Sequence, residues 1–168
     1  MAGSLGDDDD GRGRPGAART DVVVDAANAV GSRPDGWWRD RPGAARRLLA
    51  QLALLARAGV VPGPGGAEAA LAVGEVHAVL EGAARAASSE GLHAGVHVHL
   101  APQDGDSAIA GLADHLVAAG RTVLVVTADR GLRARLPAAA SSAGPGWLRA
   151  VLDELRAGDA AGGVDGPG

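Results

Sequence analysis

The sequence predicts an α/β fold in three layers, a parallel sheet of four or five strands with helices on both faces. Three observations predict it. Apolar runs of strand length alternate along the chain with stretches of helical spacing. The runs are continuous and rich in valine, as expected for strands covered on both faces. Acids stand at or beyond their ends: Asp25 closes Val22-Val23-Val24, Asp106 follows Val96-His97-Val98, and Asp129 follows the run from Val123 to Ala128. In open α/β sheets ligands bind beyond the carboxyl ends of the strands.

Taken in order, the first strand is Val22 to Val24. Pro42 marks a helix start, and Ala44 to Ala58 carries Leu48, Leu49, Leu52 and Leu55 at helical spacing. Pro62 to Gly66 breaks the pattern as a loop. Val73 to Leu80 gives a second strand, Ala83 to Ser89 a short helix, and Gly95 to Leu100 a third strand. Ser107 to Ala119 is a helix with Ile109, Leu112, Ala113, Leu116 and Val117 inward, stopped by Gly120. Arg121 to Thr127 is the fourth strand and Arg130 to Leu136 a short helix. Ala138 to Ala143, alanine and serine throughout, is a weak fifth strand, and Trp147 to Leu155 a final helix.

The length of 168 residues, with 46% hydrophobic and 21% charged residues, fits one domain. Residues 1–19, with Asp7 to Asp10 in a row, read as a disordered tail, 20–157 as the domain and 158–168 as a second disordered tail. The net charge of -4 equals that aspartate run, so the rest is near neutral and nucleic-acid binding must rest on local arginine clusters. Cysteine is absent, which excludes disulfides and thiolate metal sites. The start lacks a basic and apolar leader, and no apolar run approaches the roughly 20 residues that span a bilayer. A soluble, cytoplasmic protein with no membrane contact is expected; a homodimer is left open.

The chain has no Lys, Phe or Tyr, one Asn (Asn28) and one Ile (Ile109). Every cationic side chain other than histidine is therefore Arg, suited to bidentate contact with phosphate. Converging carboxylates repel one another unless a hard cation sits between them, and Mg²⁺ or Mn²⁺ suits oxygen ligands. The candidate catalytic and metal-holding acids are Asp25, Asp106 and Asp129. Asp104 either adds a fourth carboxylate or caps the helix that follows. Asp106 and Asp129 carry the same cap alternative.

Val24-Asp25-Ala26-Ala27-Asn28, Asp106-Ser107-Ala108-Ile109-Ala110 and Thr127-Ala128-Asp129-Arg130-Gly131-Leu132 resemble, in order, the motifs of the PIN-like nucleases, including the NYN branch. The resemblance spans roughly Asp21 to Leu155. It implies a Rossmannoid sheet flanked by helices, an acidic pocket holding Mg²⁺ or Mn²⁺, and hydrolysis of phosphodiesters, in RNA more often than DNA. It also implies that the first and fourth strands are neighbours, which sets Asp25 beside Asp129. Asn28, the lone Asn of the chain, either serves a turn or orients a carboxylate, a water or the phosphate, and Thr127 is a candidate substrate-binding residue.

The loop from Gly31 to Arg41 leaves the first strand on the edge that carries the acids. It holds Arg33, Trp37, Trp38 and Arg39, a combination suited to pairing with phosphate and stacking on unpaired bases of single-stranded RNA. Sealing of the sheet edge by the tryptophans explains them as well. Asp40 is either an extra acid or an ion-pair partner of Arg39 or Arg41. Arg130, Arg133 and Arg135 read as solvent-facing, with Arg130 best placed to meet substrate.

Other chemistries find less support. His77, His93, His97, His99 and His115 lack compact ligand spacing and read as structural. Gly63 to Gly66 lacks the lysine of a phosphate loop, Gly-x-Ser-x-Gly is absent, and a receiver domain would need a fifth-strand lysine. A toprim-like nucleotide phosphohydrolase could use Asp104-Gly105-Asp106 with a strand-end glutamate, for which Glu81 is the only candidate. A catalytically silent RNA-binding module is the remaining alternative, since Ser107 stands where another acid would strengthen the site.

Overall fold

A computed structural model describes residues 18–163. Of the predicted tails at 1–19 and 158–168, residues 1–17 and 164–168 lie outside the described residues. Strand β1 (Thr20–Asp25) leads through helix α1 (Ala26–Gly31) and a 3-10 turn (Trp37–Arg39) to helix α2 (Arg41–Ala58). Strands β2 (Val60–Gly63) and β3 (Gly66–Leu80), a second 3-10 turn (Gly82–Ala87), and strands β4 (Gly91–His93) and β5 (Val96–Leu100) follow. Helix α3 (Gly105–Ala118), β6 (Thr122–Val126), α4 (Arg130–Arg135), β7 (Ser141–Ala143) and α5 (Pro145–Gly162) complete the chain.

The strands form one sheet in the order β4-β5-β3-β1-β6-β7, with β2 paired to β3. β1, β3, β5, β6 and β7 run parallel, while β2 and β4 are antiparallel to their partners. Strand alternation divides the core in two. Val22, Val24, Val76, Ala78, Leu80, Val96 and Val98 meet Leu48, Leu52 and Leu55 of α2 and Leu148, Val151 and Leu152 of α5. Val23, Val79, Val123 and Val125 face the other way, against Ile109, Ala113 and Leu116 of α3 and Leu132 of α4. The result is the predicted three-layer sandwich.

The sheet has seven strands rather than four or five. Where Pro62 to Gly66 was expected as a loop, β2 and the first half of β3 form a hairpin. Its strands are rich in glycine and alanine and carry a proline, so they lack the β-branched residues that signal a strand; Pro62 is tolerated because β2 lies at an edge. β4 is three exposed residues turned onto β5 through Ala94 and Gly95, both at positive φ (49° and 83°). That arrangement matches the twist of a two-residue hairpin. The expected helix at Ala83 to Ser89 is a 3-10 turn, and α5 continues to Gly162, past the expected domain edge at 157.

From β1 the chain passes to β3 on one side and later returns as β6 on the other. The carboxyl end of β1 is therefore the point where strand order reverses, the natural position for a site. Asp25 occupies it.

Candidate functional site

Asp25 ends β1 and is 8% exposed. One carboxylate oxygen accepts the backbone N–H of Asn28, capping α1, at 3.2 Å; the other accepts the Thr127 hydroxyl at 3.0 Å. Thr127 is fully buried just beyond β6, and its Oγ1 also accepts the N–H of Asp129 at 3.1 Å. Asp129 caps α4 by accepting the Leu132 N–H at 2.9 Å. Asn28 does not reach for a carboxylate: its Oδ1 accepts the Ala128 N–H at 2.9 Å, tying the end of β1 to the turn that carries Asp129. Arg133, expected to face solvent, clamps the Thr127 carbonyl with Nε at 3.0 Å and Nη2 at 2.7 Å.

Asp106 sits in the first turn of α3 and does not cap it. The cap is Asp104, which is exposed and accepts both the N–H (2.7 Å) and the hydroxyl (3.1 Å) of Ser107. Those bonds hold the Asp104 carboxyl below the usual carboxylate range. Arg135 reaches the Ser107 hydroxyl at 3.0 Å.

A fourth acid joins the site. Glu81 follows β3 and accepts the N–H of Gly105, at the start of α3. Glu81 lies outside the three motifs and enters from the sequence only through the phosphohydrolase alternative; its signal is its place directly after a strand. Burial pushes the Asp25 carboxyl up, and the charges of Asp106 and Glu81 add to the shift. Burial also raises Asp106, reinforced by Asp129 and Glu81. These four carboxylates thus feel one another across the end of the sheet. Among the described residues, no three of them bring ligand atoms within 4.8 Å of one another, so the acids stand apart rather than forming a tight cage.

Gly105 is needed for this arrangement. A Cβ there would lie 2.5 Å from Glu81 Oε2, and the flexible glutamate, not the helix, would yield. Gly105→Ala is expected to leave the unfolding midpoint nearly unchanged and to weaken Mn²⁺ binding about tenfold. Calorimetric titration beside thermal unfolding checks both.

Beside the acids opens a mostly apolar cleft of about 380 Å³, lined by Ala26, Val30, Trp37, Arg41, Glu81 and Asp104 among others. The Arg41 guanidinium lies 5.5 Å from the Trp37 ring centroid. Trp38 is 54% exposed and pairs with Arg39, 5.9 Å from its ring. Arg33 turns away and bonds Asp153 of α5 at 3.2 Å. Asp40 is neither an extra acid nor an arginine partner: it caps α2, accepting the Gly43 N–H at 2.9 Å. Arg130 is exposed at the first position of α4.

No protein-family model matches the sequence, and no curated protein matches it. The structure is similar to the crystal structure of a point mutant of Rae1 (YacP) from Bacillus subtilis, with a TM-score of 0.61 over 87% of this chain and 86% of that one. The likeness is one of fold. At 14% identity it extends to the three-layer arrangement and not to individual residues.

A second polar cluster lies at the other end of the sheet, where Asp21, Glu75 and His77 each place a ligand atom within 4.8 Å of the others. The register His77↔His97 brings together histidines far apart in the chain. Burial, then the charges of His99 and His97, lower the His77 pKa to about 4. Among the described residues, no helix is long and apolar enough to cross a membrane.

Proposed function

We propose that the chain is a metal-dependent nuclease that hydrolyses phosphodiester bonds, with single-stranded RNA as its substrate. The observation that carries this reading is the convergence of Asp25, Glu81, Asp106 and Asp129 at the strand-order reversal, beside a cleft walled by Trp37 and Arg41. The order of the three motifs and the three-layer fold support a place among PIN-like domains.

The donor set fits Mg²⁺ or Mn²⁺: all oxygen, multiply negative, and self-repelling without a cation. Asp25, Asp106 and Asp129 would hold the ion, with Glu81 at its side. Bound there, it would activate water and offset charge on the scissile phosphate. The remaining work falls to the chain. Thr127 fixes the Asp25 carboxylate, Arg133 and Asn28 fix the turn bearing Asp129, and Trp37 offers a ring to an unpaired base while Arg41 meets a phosphate. Trp38, Arg39 and Arg130 would extend the track along the strand.

Glu81 next to Asp104-Gly105-Asp106 favours a second reading, a Mg²⁺-dependent nucleotide phosphohydrolase. Incubation with Mn²⁺ and either single-stranded RNA or nucleoside triphosphates separates the two. RNA cleavage that EDTA abolishes supports the nuclease; hydrolysis of triphosphates alone supports the second reading; RNA binding without turnover identifies a silent module. Trp37→Ala is expected to raise KM for RNA about tenfold with kcat little changed, since stacking on an aromatic ring is worth roughly 1–3 kcal/mol per base. Steady-state kinetics on a short oligonucleotide checks it.

A further inference from the structure

We propose that Asp21, Glu75 and His77, with His97 beside Glu75, form a second metal site, for a borderline ion such as Zn²⁺ or Co²⁺, at the end of the sheet opposite the strand-end acids. Asp21 and Asp25 lie four residues apart on β1, about 13 Å at strand rise, so one ion cannot serve both.

Two buried atoms at this end have no partner. Asp21 is fully buried; its Oδ1 accepts the Glu75 N–H at 2.9 Å and Arg121 at 2.7 Å, while Oδ2 has no hydrogen bond. His77 is 4% exposed, and its Nε2 has no hydrogen bond, although it lies 3.5 Å from Glu75 Oε2. The same glutamate oxygen is 3.9 Å from His97 Nε2. Three donor side chains from β1 and β3 thus lie within 4.8 Å of one another, with His97 of β5 beside Glu75.

The surroundings are built for an ion. His77 Nδ1 lies 3.0 Å from His99 Nε2, and donation to His99 selects the tautomer that leaves the His77 Nε2 lone pair toward Glu75. Histidine ligands of metals are oriented in this way through their second ring nitrogen. Gly74 makes room for the Asp21 carboxylate, since a Cβ there would collide with Oδ1. Arg121 engages only Oδ1 of Asp21 and is 3.8 Å from Glu75, so two carboxylates facing one guanidinium retain a net negative charge. Mixed imidazole and carboxylate donors favour Zn²⁺ or Co²⁺ over Mg²⁺.

The test titrates metal-stripped full-length protein with Co²⁺ and then displaces it with Zn²⁺, following the visible absorption of the cobalt complex and thermal unfolding. A stoichiometric band and a raised midpoint are expected, retained in the double variant Asp25→Asn, Asp129→Asn. Glu75 is half exposed, so Glu75→Gln keeps the fold; it should weaken Co²⁺ binding about tenfold or more, as should His77→Gln. Absence of a band, its survival in Glu75→Gln, or its loss in the Asp25 and Asp129 double variant would overturn the proposal. The first outcome would assign the cluster to hydrogen bonding through the other His77 tautomer.

Discussion

Asp25→Asn is expected to lower RNA cleavage by about 10³-fold or more while leaving the protein no less stable at neutral pH. Asparagine retains an oxygen to cap α1 through the Asn28 N–H, and its amide NH2 then faces Thr127 Oγ1 as a donor in place of the second carboxylate oxygen, so the scaffold is kept. What disappears is a buried negative charge facing Asp106 and Glu81. Since the folded-state pKa of Asp25 is raised above 3.8, the folded protein holds that proton more tightly than the unfolded chain. The penalty for ionising it is absent below pH 3.8, grows as the pH rises through the raised value, and is complete above it. Metal-free wild type should therefore lose stability relative to the variant as pH rises from about 4 toward neutral. Added Mn²⁺ should raise the wild-type midpoint and leave that of the variant nearly unmoved, through binding to the folded state alone. Cleavage assays and thermal unfolding across pH, each with and without Mn²⁺, read the whole pattern. Unimpaired cleavage by Asp25→Asn would remove Asp25 from the chemistry.

Thr127→Val should be the most damaging single change of shape-conserving type. The hydroxyl is fully buried and serves two acids, donating to Asp25 and accepting from the Asp129 N–H. Valine fills the same space and satisfies neither. Losing a bond to a charged group and stranding a backbone donor should cost about 3 kcal/mol, or roughly 10 °C in Tm. Activity should fall as well, because Asp25 loses the partner that fixes its rotamer and helps keep it ionised. Thr127→Ser keeps the hydroxyl and should recover most of the activity. Equal loss in both variants would assign Thr127 to packing alone.

The layers of this fold were legible because buried parallel strands announce themselves: Val22 to Val24 and Val123 to Val126 could hardly be anything else. β2, the first half of β3 and β7 were faint, since alanine, glycine, serine and proline form strands there only under the instruction of a neighbouring strand. At the site, Asp25, Asp106 and Asp129 stood out by position, whereas Glu81, legible as a strand-end acid, joins them only through the adjacency of β3 to β1. Asp104 and Asp40 show the limit of composition: an acid before a helix offers the same letters whether it binds metal or caps the first turn. The closeness of the histidines was hidden for another reason. Their grouping depends on the register of β3 against β5, which no spacing along the chain records.

The path of the sheet ends in stubs, β4 and β7, each three residues long, and the further edge, β2, is four residues interrupted by Pro62. A rim so short exposes too few unpaired amide and carbonyl groups to recruit the strand of another molecule, which guards against sticky, edge-driven self-association. Any assembly of this protein would then be built from its helical flanks.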